Sequence, residues 1–100
     1  MKRECETIKV FAKQTIKEEH LKEVLTLCDK MIEETRKEEG CISYELFQDI
    51  NAPYTFAYIE EWESPEHLAA HTKSPHYQEI IPKIAEMRTD SEVTVLKKVK

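Results

Sequence analysis

The chain predicts an α+β fold with the element order βαββαβ, an antiparallel sheet carrying helices on one face. Three observations lead there. A run of apolar residues at helical spacing lies between two segments of alternating hydrophobicity. Two Ser-Pro pairs, Ser64-Pro65 and Ser74-Pro75, each mark a helix start after the third strand. Alternation returns near the C-terminus, where a last strand closes the order.

The first strand is expected over residues 5 to 13, with Ile8, Val10 and Ala12 on one face and Phe11 on the other. Thr15 followed by Glu18 has the form of a capping box and is expected to open the first helix. Leu21, Val24, Leu25, Cys28, Met31, Ile32 and Thr35 then recur every three or four residues, with Lys and Glu opposite. Gly40, the only glycine in the chain, is expected to end this helix in the left-handed conformation. Cys41 to Ile50 forms strand two and Tyr54 to Glu63 strand three, joined by a turn at Asn51-Ala52-Pro53. Ser64-Pro65 starts a short helix through His71. Ser74-Pro75 starts another carrying Tyr77, Ile80, Ile81 and Ile84, which Pro82 should bend. Glu92 to Val99 is the fourth strand.

Both parities of the strands carry apolar side chains: Tyr54, Phe56, Tyr58 and Trp62 against Ala57 and Ile59, and Val93, Val95 and Val99 against Leu96. Helices cover one face only, so an apolar face remains, and a homodimer with sheets packed face to face is expected.

At 100 residues the chain is expected to be one domain, 1–100, with no room for a second core. Its net charge of -5 argues against nucleic acid, which requires a clustered basic surface. Lys97, Lys98 and Lys100 are the nearest thing to a basic run and suit a solvated strand end. No apolar stretch is long enough to span a bilayer or serve as a signal peptide, so no membrane partner is expected. Cys5, Cys28 and Cys41 are odd in number and widely spaced. They suit reduced, buried thiols and a cytoplasmic location.

The chemistry is concentrated between Glu38 and Gln78, which hold the only Trp, three of four His and all four Tyr. His71, at the end of a short helix, can serve as a base for a phenolic substrate, or be satisfied by a helix-end carbonyl. His76, in the first turn of the next helix, suits a neutral donor or a structural group. His67 and His71 have the i, i+4 spacing of a metal pair, but no third ligand is evident and no metal is expected. Trp62 and Tyr44 lie on neighbouring strands and serve either as core or as a flat wall for an aromatic ring. Tyr58 extends the same parity. So does Glu60, a carboxylate among aromatics that needs a Lys or Arg partner or carries a raised pKa.

The segments Glu38-Glu39-Gly40-Cys41-x-x-Tyr44, Glu60-x-Trp62-Glu63-Ser64, His67-Leu68-x-Ala70-His71 and Ser74-Pro75-His76 resemble the antibiotic biosynthesis monooxygenase family. The resemblance implies a ferredoxin-like, dimeric α+β barrel, and is strongest toward small quinol-monooxygenase-like members. It implies oxidation of a small aromatic quinol or phenol by dioxygen without flavin, metal or haem. His71 would be the base, Trp62 and Tyr44 the walls, and His76 a secondary donor. The family also implies alternatives: an isomerase of a phosphorylated signalling sugar, a haem-degrading branch, and a dimer that only binds a small metabolite. The haem branch is disfavoured. The first strand offers Thr7 where that branch places an Asn, and His71 and Ile81 stand where it places a Trp and a His.

Overall fold

The computed structural model describes residues 7–100, so the expectation for Cys5 and the start of the first strand lies outside the described residues. Strand β1 (Ile8–Ile16) leads through a short 3-10 turn into helix α1 (Leu21–Thr35). The hairpin β2 (Cys41–Asp49) and β3 (Ala52–Trp62) follows, then helices α2 (Pro65–Thr72) and α3 (Pro75–Ala85), and strand β4 (Arg88–Lys97). The four strands form one antiparallel sheet in the order β2-β3-β1-β4, the ferredoxin-like α+β arrangement.

The register places Val10 opposite Glu60 and Val95, and Ala12 opposite Tyr58 and Val93. This parity faces the helices. Ile8, Val10, Phe56, Tyr58 and Trp62 from the sheet pack there against Val24, Cys28 and Met31 of α1 and Ile80 and Ile84 of α3. Among the described residues the opposite parity carries no helix. Phe11, Phe47, Ile59 and Leu96 remain between 38% and 49% exposed on it. Strand β4 is an edge, exposed on both faces, and Val93 and Val95 extend past the helical cover.

Several boundaries differ from expectation, each for a physical reason. Thr15 does not cap a helix. It lies in β1, and its hydroxyl shares a 2.9 Å hydrogen bond with that of Thr55 across the sheet. His20 takes the N-cap position of α1 without a side-chain bond. Helix α1 stops at Thr35, five residues before Gly40, and a tight connection follows. Gly40 is nonetheless left-handed, at φ 87°, and a Cβ there would collide with the ring of His67. The hairpin turn is Ile50-Asn51, not Asn51-Ala52-Pro53. Pro53 is tolerated at a strand start, where its missing N–H breaks little of the ladder, and its carbonyl accepts from Gln48 Nε2 at 2.8 Å. Helix α3 continues through Pro82 to Ala85. Strand β4 begins at Arg88, four residues before the expected Glu92, and ends at Lys97.

Both Ser-Pro starts are observed as expected. Ser64 and Ser74 are N-caps whose hydroxyls accept from the His67 and Tyr77 amides, with Pro at the first helical position.

Candidate functional site

The cap at Ser74 sets the geometry of the site. It breaks the chain between α2 and α3 so that His71, in the last turn of one helix, and His76, in the first turn of the next, converge. Ser74 Oγ donates to the His71 carbonyl at 2.8 Å, which locks the corner. The two rings meet one carboxylate. Glu38 Oε2, in the connection after α1, lies 2.7 Å from His71 Nδ1 and 2.7 Å from His76 Nε2. A carboxylate oxygen only accepts, so both imidazole nitrogens donate to it. His71 therefore carries its proton on Nδ1 and keeps the lone pair on Nε2. Ser74 Oγ lies 3.2 Å from His76 Nε2 as a second, weaker acceptor.

His71 is 2% exposed; burial, the largest cause, and the neighbouring His76 lower its pKa while the Glu38 carboxylate raises it, and the balance is a lowering. It is a neutral imidazole at neutral pH. Trp62 stacks obliquely on it with ring centroids 4.8 Å apart, Tyr44 meets it edge-on at 5.6 Å, and Tyr77 at 5.1 Å. Beneath these rings the Trp62 indole donates to Glu60 Oε1 at 2.9 Å. Glu60 is 5% exposed, and desolvation pushes its pKa up to about 7, with the Glu38 charge adding to the effect. Of the two alternatives for Glu60, a raised pKa is the one observed, and among the described residues no Lys or Arg pairs with it. Lys9 pairs with Glu61 on the other face of the sheet instead, at 3.1 Å. Burial raises the Tyr44 and Tyr58 phenols well above their ordinary range, so both stay protonated. The Tyr58 hydroxyl is buried without a hydrogen-bond partner among the described residues.

A cavity of about 320 Å3 opens between this cluster and β1 and β4. Tyr44, Tyr58, Glu60 and His71 line one end of it; Leu68, Tyr77 and Ile81 form the helical wall. Trp62 is not part of the lining. Of the two readings of Trp62, core residue or flat wall, its depth agrees with the core: it is fully buried and touches His71 and Glu60. His76 is likewise not part of the lining and touches Glu38. His67 is turned away from His71, its Nδ1 2.8 Å from Ser64 Oγ. The pair that forms with His71 is His76, and the third acidic or basic group is Glu38, quoted in the sequence motif but not given a role there.

Glu38, His71 and His76 also satisfy the composition of a two-His, one-carboxylate metal site, with ligand atoms all within 4.8 Å. Their two contacts of 2.7 Å are hydrogen-bond lengths. A tetrahedral ion with bonds near 2.0–2.1 Å would hold its ligand atoms roughly 3.3 Å apart. In the structure the three groups are joined by hydrogen bonds.

The antibiotic biosynthesis monooxygenase family model matches residues 7–83, from β1 through most of α3. The chain belongs to the antibiotic biosynthesis monooxygenase family. Relatives include a conserved protein of Methanosarcina mazei Go1, whose crystal structure is 36% identical, with 95% of each chain covered and a TM-score of 0.92. A second crystal structure, of an antibiotic biosynthesis monooxygenase, is 34% identical over 93% of this chain and 99% of that one, with a TM-score of 0.89. The probable quinol monooxygenase YgiN of Escherichia coli is 37% identical over 65 residues, 57% of this chain and 62% of that protein. An uncharacterized Synechocystis protein is 31% identical over 68 residues; the match takes in 68% of this chain but only 46% of that protein. The chain thus spans about half the length of that relative.

Proposed function

We propose that this family member is a monooxygenase that oxidises a small aromatic quinol or phenol with dioxygen, using no cofactor, and that it works as a homodimer in the cytoplasm. One observation carries the reading: a buried, neutral His71, held through Nδ1 by Glu38, borders an apolar cavity of the size of a small ring system.

His71 Nε2 takes the phenolic proton, and Glu38 stabilises the imidazolium that results. The electron-rich anion passes one electron to dioxygen, and the radical pair joins through a new C–O bond. The ring hydroperoxide then loses water: the C–H and O–O bonds break, and His71 returns its proton to the departing hydroxyl. One oxygen atom stays on the product as a carbonyl, the other leaves as water, so quinol plus dioxygen gives hydroxyquinone plus water. Tyr44, which stays protonated, holds the anion as a donor. Glu60 is positioned to share a proton with it near neutral pH. The apolar walls exclude bulk water from the radical pair. Cys28 and Cys41 have no place in this chemistry, since burial raises both thiols, Cys41 to about 11.

Oxygen uptake with a panel of quinols tests the reading. Wild type exceeds autoxidation, chelator-treated protein matches it, and His71→Ala loses about 10²–10⁴-fold of the rate. Equal uptake by His71→Ala and wild type would refute the assignment of the base. Dependence on added metal would refute the cofactor-free reading.

A further inference from the structure

The cavity is chemically asymmetric along β1. Its acid–base end lies at Val10, opposite Glu60; four residues on, Gln14 stands opposite Ser91. At ~3.3 Å per strand residue the two ends are roughly 13 Å apart. The side between them is apolar, with Ala12, Val93 and Val95. At the far end Arg88 and Gln14 both line the cavity, and Arg88 Nη1 donates to Gln14 Oε1 at 3.1 Å. That acceptor is neutral. Among the described residues no carboxylate lies within ion-pair distance of Arg88. The neighbouring Asp90 is engaged by the Thr15 amide at 3.1 Å.

Arg88 is half-buried at the cavity wall with no counter-ion among the described residues, which leaves its remaining N–H groups free to take an anion from the cavity. Gln14 is 6% exposed, and its amide nitrogen donates to no acceptor among the described residues. It offers a second N–H beside the guanidinium. A planar fork plus one neutral donor suits a carboxylate, which accepts two parallel N–H bonds.

We infer that the Arg88–Gln14 end of the cavity is a carboxylate-binding subsite, and that the substrate is a hydroxyaromatic acid whose acid group lies at the end opposite its reacting hydroxyl. This rests on the function proposed above and gives the cavity a fixed substrate direction. Arg88 anchors the acid, the apolar walls hold the ring, and the hydroxyl falls at His71.

Anaerobic calorimetric titration tests it without requiring turnover. The probes are a hydroquinone bearing a propanoate side chain and the methyl ester of the same compound. Wild type is expected to bind the acid about tenfold or more tightly than the ester, with the preference shrinking at high salt. Arg88→Met abolishes the preference, while Arg88→Lys retains part of it. Equal affinity for acid and ester in wild type, a preference that persists in Arg88→Met, or binding of neither probe would overturn the inference. Should the acid bind preferentially and no quinol be oxidised in air, the subsite stands and the proposed reaction falls.

Discussion

Glu38 holds two imidazoles on one oxygen, and its charge works on His71 against the burial that lowers that residue's pKa. Glu38→Gln keeps the shape and removes the charge, so His71 loses its proton at lower pH. The rising limb of the rate profile moves to lower pH, and the rate falls by less than in His71→Ala because the imidazolium is no longer stabilised. A profile superimposable on wild type would show that Glu38 does not act through His71. Glu60 gives a second prediction, with the sign opposite to that of a salt-bridged carboxylate. Its folded-state value of about 7 exceeds the ordinary 4.5. The folded protein holds a proton that the unfolded chain releases, so this stability is present below the ordinary value and is lost as pH rises through 7. The difference is worth about 3 kcal/mol. Glu60→Gln, which still accepts from Trp62, is therefore expected to melt above wild type at pH 8, with the gap closing toward pH 4.5. His71 titrates in both proteins and cancels from the comparison. A gap independent of pH would refute the raised value. His71, Tyr44, Tyr58 and Glu60 were legible as a cluster because they sit within one short run and three share a strand parity. The Glu38 role was not, since 33 residues separate it from His71 and nothing local marks the pairing.

Elements were legible where burial imposes a period. Helix α1 buries Val24, Cys28, Met31 and Thr35 against the sheet, and its apolar stripe reads directly from the sequence. Strand β4 shows the opposite case. It is exposed along its length, so Arg88 to Ser91 carry no apolar alternation and the strand starts four residues before the pattern does. That missing stretch holds Arg88 and Ser91, which is why the far end of the cavity escaped sequence reasoning. Thr15 satisfied the local form of a capping box, yet pairing with Thr55 gained a ladder position the motif could not register. Gly40 carries an element-scale prediction. It holds the connection between α1 and β2 at φ 87° against His67, and its carbonyl accepts from the Glu63 amide at 2.9 Å. Gly40→Ala adds left-handed strain of about 1–2 kcal/mol and an overpacking cost of about 1–3 kcal/mol. In a domain of this size that corresponds to a fall in Tm of more than about 8 °C. Because Glu38 lies two residues away, activity at low temperature is expected to fall as well. A melting temperature within a degree of wild type would show that the connection relaxes freely.

At the scale of the whole molecule the sheet is a two-sided object with only one side closed. Phe11 on β1, Ile59 on β3 and Phe47 on β2 share the helix-free parity and leave an apolar swath across adjacent strands. Scattered single hydrophobes on a surface are ordinary, but a contiguous set across three strands is the composition of an interface. In the proposed homodimer a second copy presenting the same face would close it with two-fold symmetry. The opposite parity holds the cavity and its polar residues, so the proposed dimer surface and the cavity lie back to back on one sheet. Substitution at the interface should then separate assembly from fold. Ile59→Glu places a charge at the centre of the swath, where it would face its own symmetry mate's apolar surface and cost the association far more than it costs the monomer, in which Ile59 is 41% exposed. Wild type is expected to run as a dimer in light scattering at micromolar concentration, and Ile59→Glu as a folded monomer with unchanged far-ultraviolet dichroism. A wild-type monomer would remove the dimer from the proposal, and an Ile59→Glu dimer would move the interface to another face. Because the cavity opens on the far side of the sheet, loss of oxygen uptake in a folded Ile59→Glu monomer would mean that pairing holds β4, and with it Val93, Val95 and Arg88, in place over the substrate.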